Sequence, residues 1–156
     1  MTNITAVLTD LGPSQKSFYF VKNFNDLSTN PNFSCSAFLC NIGIPVTKAL
    51  FSCSSVSFFS DYFGTAISTT IAEADMLLKS NNNSKKYLYL WDIEWLVRPM
   101  NYSQVCNILL DKRLKIIARS KSHAQIIENF CNKKPIGIVE DWNKEQLLTL
   151  LEVESG

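Results

Sequence analysis

The sequence predicts an α/β fold built on a single, doubly wound and mostly parallel sheet, with helices on both faces. Three observations predict it. Short apolar runs without polar alternation recur along the chain, which is what strands covered on both faces need. Segments with apolar residues at helical spacing separate those runs. Strands that alternate with helices pair in parallel through crossover connections.

Each element can be justified in order. Ile4 to Thr9 (ITAVLT) reads as a buried strand running into the turn Asp10-Leu11-Gly12-Pro13-Ser14. Phe20, Val21, Phe24 and Leu27 then recur at helical spacing and predict a helix from about Gln15 to Leu27. Asn30-Pro31-Asn32 breaks the chain before a second strand, Phe33 to Ile42. Val46 to Leu50 reads as a short helix, Phe51 to Ser60 as a third strand, and Gly64 to Ser68 as a short fourth. Thr70 to Glu73 fits a capping box, with a hydroxyl at the N-cap and a carboxylate three residues on, opening a helix. The tract Ser80 to Ser84 ends it as a surface loop.

Tyr87 to Trp91 (YLYLW) is the next strand, followed by a helix from about Ser103 to Leu110. Leu114 to Ala118 (LKIIA) is a strand, and Ser122, as a cap, opens a helix to Cys131. Ile136 to Val139 (IGIV) is the last strand, and Asn143 with Gln146 opens a closing helix, Lys144 to Leu151. The sum is a Rossmann-like sheet of about six or seven strands in one domain spanning 1–156, a common domain size.

Composition narrows the function classes. Hydrophobic residues make up 46% of the chain and charged residues 19%, a globular balance too apolar for disorder. Net charge is +1, so no global field attracts nucleic acid, and a nucleic-acid partner is not expected. No apolar run reaches the ~18–20 residues of a membrane span. The five cysteines include no Cys-x-x-Cys pair, and the chain start lacks a signal-peptide pattern. Buried free thiols in a reducing cytoplasm are therefore expected, with no zinc site.

In open α/β sheets, ligands bind beyond the carboxyl ends of the strands, in the crevice where strand order reverses. That rule selects Asp10, Gly12 and Ser14 after ITAVLT, and Asp92 and Glu94 after YLYLW. It also selects Arg119, Ser120 and His123 after LKIIA, and Glu140 and Asp141 after IGIV. The turn from Gly12 to Gln15 opens a helix, where free N–H groups can hold an anion, although Pro13 removes one donor. The carboxylates Asp10, Asp92, Glu94, Glu140 and Asp141 could hold Mg²⁺, which takes one or two carboxylates together with phosphate oxygens. Arg119, Ser120 and His123 offer a guanidinium fork, a hydroxyl and an imidazole suited to phosphate or sugar hydroxyls. Trp91, Trp95 and Trp142 flank these turns, either as core anchors or as an aromatic rim.

Leu114 to Asn143 (LKIIARSKSHAQIIENFCNKKPIGIVEDWN) resembles the last strand–helix–strand of the N-terminal Rossmann-like domain of GT-B-fold glycosyltransferases. Tyr87 to Leu96 and Thr9 to Ser17 stand where that family has an apolar strand with a polar, aromatic turn and its first glycine-bearing loop. The pattern also looks like small glycosyltransferase-like proteins of cyanobacterial tailed phages. The resemblance implies a cytoplasmic location, in the host cytoplasm or in the virion for a phage-encoded chain. The family's donor-sugar site lies mainly in a further domain. The resemblance therefore implies a module that binds a sugar, a nucleotide or a protein partner, and does not transfer sugar alone.

Two other function classes stay open. One is a small enzyme acting on a nucleotide or sugar phosphate, either Mg²⁺-dependent or assisted by Arg119 and His123. The other is a structural or virion-associated interaction protein, joined to a protein partner or to copies of itself.

Overall fold

The computed structural model describes residues Met1 to Leu151. Seven strands form one sheet: β1 (Thr2–Leu8), β2 (Phe33–Leu39), β3 (Ser52–Ser55), β4 (Gly64–Ser68), β5 (Ser84–Tyr89), β6 (Leu114–Ala118) and β7 (Gly137–Ile138). Their spatial order is β3-β2-β1-β4-β5-β6-β7, and each neighbouring pair is parallel. The helices are α1 (Gln15–Ser28), α2 (Ile71–Lys79), α3 (Glu94–Val97), α4 (Tyr102–Leu109), α5 (Lys121–Cys131) and α6 (Lys144–Leu150). The doubly wound α/β class expected from the sequence is the class observed. Strand order reverses between β1 and β4, so the crevice rule points there first.

Residues that alternate along the strands divide between two apolar layers. On one face, Ile4, Ala6, Leu8, Tyr87 and Tyr89 pack with Phe20, Phe24 and Leu27 of α1 and Leu147 of α6. On the other, Leu88, Leu90, Leu114 and Ile116 pack with Ala74 of α2, Val105 and Leu109 of α4, and Ile127 of α5. A strand buried on both faces cannot carry polar alternation, which is why ITAVLT and YLYLW read as continuous apolar runs. Among the described residues, no helix is long and apolar enough to cross a membrane.

Several expectations need correction. Val46 to Leu50 is not a helix. Asn25 of α1 accepts from Leu50 N–H (2.7 Å) and donates to Lys48 O (2.8 Å), so these backbone groups are taken up by a side chain. The strand expected over Phe51 to Ser60 stops at Ser55, whose hydroxyl caps a 3-10 segment from Val56 to Asp61 by accepting from Ser57 N–H. Phe59 of that segment is buried against Val7, Ala66 and Leu77. The second strand ends at Leu39, short of Ile42. The cap of α5 is Ser120, which accepts from His123 N–H, and not Ser122. All five cysteines are free, but Cys40 and Cys53 are exposed rather than buried.

Candidate functional site

The polar residues after the strands fall into distinct groups. The first lies at the reversal point between β1 and β4. Glu73, in the first turn of α2, is 2% exposed. Its Oε1 accepts from both the N–H and the hydroxyl of Thr69 (2.9 Å each), and its Oε2 accepts from the Thr9 hydroxyl (3.0 Å). Lys16 of α1 reaches across to donate to Thr69 Oγ1 (3.2 Å). Asp10 turns back to accept from Gly12 N–H (2.8 Å), and Ser14 caps α1 by accepting from Ser17 N–H (3.0 Å). Asp10, Ser14, Lys16, Trp91 and Asp92 line an open concavity of about 300 Å³ here. Asp10, Gly12 and Ser14 also border a second one with Ile42 and Ile44.

Glu94 belongs to neither. It is 5% exposed and caps α2, accepting from Ile71 N–H (2.7 Å) and from Arg98 (2.6 Å). Its carboxylate is thus engaged by α2 and Arg98, while Asp92 lines the concavity at the reversal point. The tryptophans do not form an aromatic rim: Trp91, Trp95 and Trp142 are 6%, 7% and 0% exposed, and all three belong to the core.

The remaining candidates meet beyond the ends of β6 and β7. Arg119, Ser120, His123, Glu140 and Asp141 line an open cleft of about 350 Å³, near the lower bound of ordinary ligand pockets at ~300 Å³. The guanidinium of Arg119 lies 3.6 Å from the centre of the Trp91 ring and donates to Trp91 O (3.2 Å). It is thus held flat by a cation–π contact and a backbone acceptor. Its other nitrogen stands 3.6 Å from Asp141 Oδ1, an ion pair too long for a good hydrogen bond. Burial pushes the His123 imidazole below its usual range, and Arg119 adds to this against the opposing pull of Asp92. The ring is neutral at pH 7 and can both donate and accept. Its buried Nδ1 has no hydrogen-bond partner among the described residues.

The wall that carries Glu140 and Asp141 has unusual backbone geometry. Asn143 N–H donates to Glu140 O (2.8 Å), closing a tight turn whose central residues, Asp141 and Trp142, both have positive φ (44° and 61°). Such turns normally take Gly, Asn or Asp, so Asp141 suits its place and the strain falls on Trp142. A bulky tryptophan there needs external support. The indole of Trp142 packs against Phe20 (4.9 Å), Phe24 (5.9 Å) and Tyr89 (4.9 Å). Trp142 N–H donates to the Tyr89 hydroxyl (3.4 Å), which itself donates to Val139 O. Burial pushes that tyrosine up to about 12, so it stays a donor. Asn23 of α1 fixes Asp141 O (3.2 Å), and Gln146 of α6 accepts from Glu140 N–H (2.8 Å).

Sequence reasoning missed Lys16, Thr69 and Glu73 as members of the reversal point. Their links span 53 and 64 positions and leave no local signal beyond the capping box. It also missed the turn at Asp141 and Trp142, because positive φ at a tryptophan follows from tertiary packing and leaves no local signal. Among the described residues, no group of three or more His, Cys, Asp or Glu side chains is placed to hold a metal ion. The carboxylates considered for Mg²⁺ are instead divided among the reversal point, the α2 cap and the cleft.

Fold and cleft together define a Rossmann-like α/β protein with an open polar surface at the carboxyl ends of its last strands. No family model matches the chain, and no curated protein or solved structure matches it.

Proposed function

We propose that this chain is a glycosyltransferase-like Rossmann module that binds a sugar or sugar-bearing ligand in the cleft beyond β6 and β7. Transfer would require a partner domain or chain, and a phage-encoded protein working in the host cytoplasm fits this reading. The observation that carries it is unspent hydrogen-bonding capacity. Arg119 and Asp141 stand 3.6 Å apart in one open concavity, which His123 also lines. The guanidinium presents a donor beside a carboxylate acceptor, and a hydroxyl-rich ligand can engage both.

A second reading uses the same residues. Arg119 and a neutral His123 could serve an enzyme acting on a nucleotide or sugar phosphate, with the imidazole as base. A ligand panel separates the two. Thermal unfolding with neutral sugars, UDP- and GDP-sugars, nucleotides and sugar phosphates, with and without Mg²⁺, should reveal a stabilising ligand. At a hundredfold excess over Kd the gain is about 2.7 kcal/mol. A shift with sugars or nucleotide-sugars that disappears in Arg119→Ala supports the module. Turnover of a sugar phosphate or nucleotide supports the enzyme. No shift with any ligand, together with a stable oligomer by light scattering, would replace both with an interaction protein.

A further inference from the structure

We infer that Asp141 is the specificity-determining residue of the cleft: a carboxylate held by a strained turn so that it selects a neutral, hydroxyl-bearing sugar over a phosphorylated one. The inference rests on the sugar-binding reading above and narrows its ligand class.

The first support is where the strain falls. Aspartate tolerates positive φ but tryptophan does not, and Trp142 adds a buried Nε1 with no partner among the described residues. The turn persists because its surroundings over-determine it, through the buried indole, Asn23, Tyr89 and Gln146. Strained backbone of this kind concentrates at ligand clamps. What this turn delivers is the side chain of Asp141, 47% exposed, at the mouth of the cleft. Aspartate is itself a residue that such turns take, so the case for Asp141 as a ligand group rests on its place at the cleft beside Arg119.

The second support is the gap between Asp141 and Arg119. Trp91 fixes the guanidinium from one side, so the 3.6 Å separation cannot close by rotation of the arginine without losing its stacking and its bond to Trp91 O. A hydroxyl can occupy such a gap, accepting from the guanidinium and donating to the carboxylate. A phosphate in that place accepts from Arg119 but repels the Asp141 carboxylate; the hydroxyls of a sugar phosphate remain, so the discrimination comes from that repulsion.

The third support is charge. The cleft sets one guanidinium against two carboxylates, Glu140 and Asp141, around a neutral imidazole. Arg119 already faces Asp141, so a phosphate would enter a site with no excess positive charge. Neutral hydroxyls meet no such penalty, and the mixture of donors and acceptors matches their dual character.

The test uses the full chain and ligand-observed NMR with glucose, galactose, mannose and N-acetylglucosamine, each beside its 1-phosphate, and Tm recorded for every variant. The wild type should bind at least one neutral sugar at least tenfold more tightly than its phosphate. Asp141→Asn keeps a residue that tolerates positive φ but removes the charge. It should weaken the neutral sugar at least tenfold and bring the two affinities within about threefold of each other. Asp141→Gly should lose sugar binding while its Tm is no lower than wild type, since a side chain kept for stability would cost Tm when removed. Sugar binding within twofold of wild type in Asp141→Asn overturns the role of Asp141 while leaving the sugar-binding reading intact. Wild-type preference for the phosphate overturns the selectivity and favours the phosphate-acting enzyme. If the wild type binds none of the panel, the sugar-binding reading itself fails and this inference falls with it.

Discussion

Glu73 and Asp141 are both carboxylates placed beyond strand ends on the same edge of the sheet, yet the fold treats them differently. Glu73 sits at the β1/β4 reversal, buried, with both oxygens accepting from Thr9 and Thr69. Asp141 sits beyond β7, half exposed, and stops 3.6 Å short of Arg119. The crevice rule points to the reversal, but the polar groups there have largely satisfied one another. Those beyond β6 and β7 have not. Position on the sheet nominates both places, and the cleft beyond β6 and β7 offers the more open donors and acceptors.

If that contrast holds, substitutions at the reversal should cost stability, while cleft side chains should cost binding. The largest effect tests the support behind the cleft. Trp142→Ala should destabilise by about 3–5 kcal/mol, the usual cost of emptying a buried tryptophan site, measured by urea unfolding. Trp142→Phe should recover most of that loss, because it keeps aromatic bulk and removes the unpartnered Nε1. A loss below about 1 kcal/mol for Trp142→Ala would mean that the turn is not held by its indole.

Glu73→Gln comes next, at about 2 kcal/mol, because an amide brings a donor where Thr9 and Thr69 already donate. Ligand affinity should stay within twofold of wild type once the variant is shown to be folded. A tenfold loss of affinity with unchanged stability would reverse the contrast and put the ligand at the reversal. Arg119→Ala is the opposite case. It should cost only about 1 kcal/mol, through the lost stacking on Trp91 and the bond to Trp91 O, while abolishing sugar binding.

The same division explains what could be read from the sequence. ITAVLT, YLYLW and LKIIA announced strands because burial on both faces removes polar residues, and Thr70 and Asn143 announced helices through local capping. The edge strand β3 was blurred because Ser52 to Ser55 is largely solvent-facing, and the apolar Val56 and Phe59 beyond it belong to a 3-10 segment. That Arg119, Ser120, His123, Glu140 and Asp141 lie at strand ends was legible because a strand-end rule is positional and topology can be read from the sequence. Their sorting was not, since whether Glu94 caps α2 or Glu73 bonds Thr9 depends on contacts 23 and 64 positions apart. The same holds for the turn at Asp141, where positive φ at a tryptophan is a consequence of tertiary packing.

The smallest effect separates the cleft from the surface by pH. His123 titrates below its ordinary 6.5 in the folded chain, chiefly through burial. The unfolded chain therefore takes up this proton first, so the stabilising contribution is complete above pH 6.5. It declines as pH falls from there towards the folded value, and is then flat. Asp111, held at about 2 mainly by its hydrogen bonds with Arg113, acts in a separate window. Its contribution is present above the ordinary 3.8 and is lost as pH falls towards about 2. One histidine proton limits the slope below pH 6.5 to under about 1.4 kcal/mol per pH unit. Urea midpoints between pH 8 and pH 5 should show that shallow decline in the wild type and lose it in His123→Gln. Midpoints extended down to pH 2 should show the acid limb to which Asp111 contributes unchanged by the same substitution, because the two groups stand at opposite ends of β6. A decline that persists in His123→Gln would assign the titration elsewhere and remove the evidence that this imidazole is held neutral within the cleft.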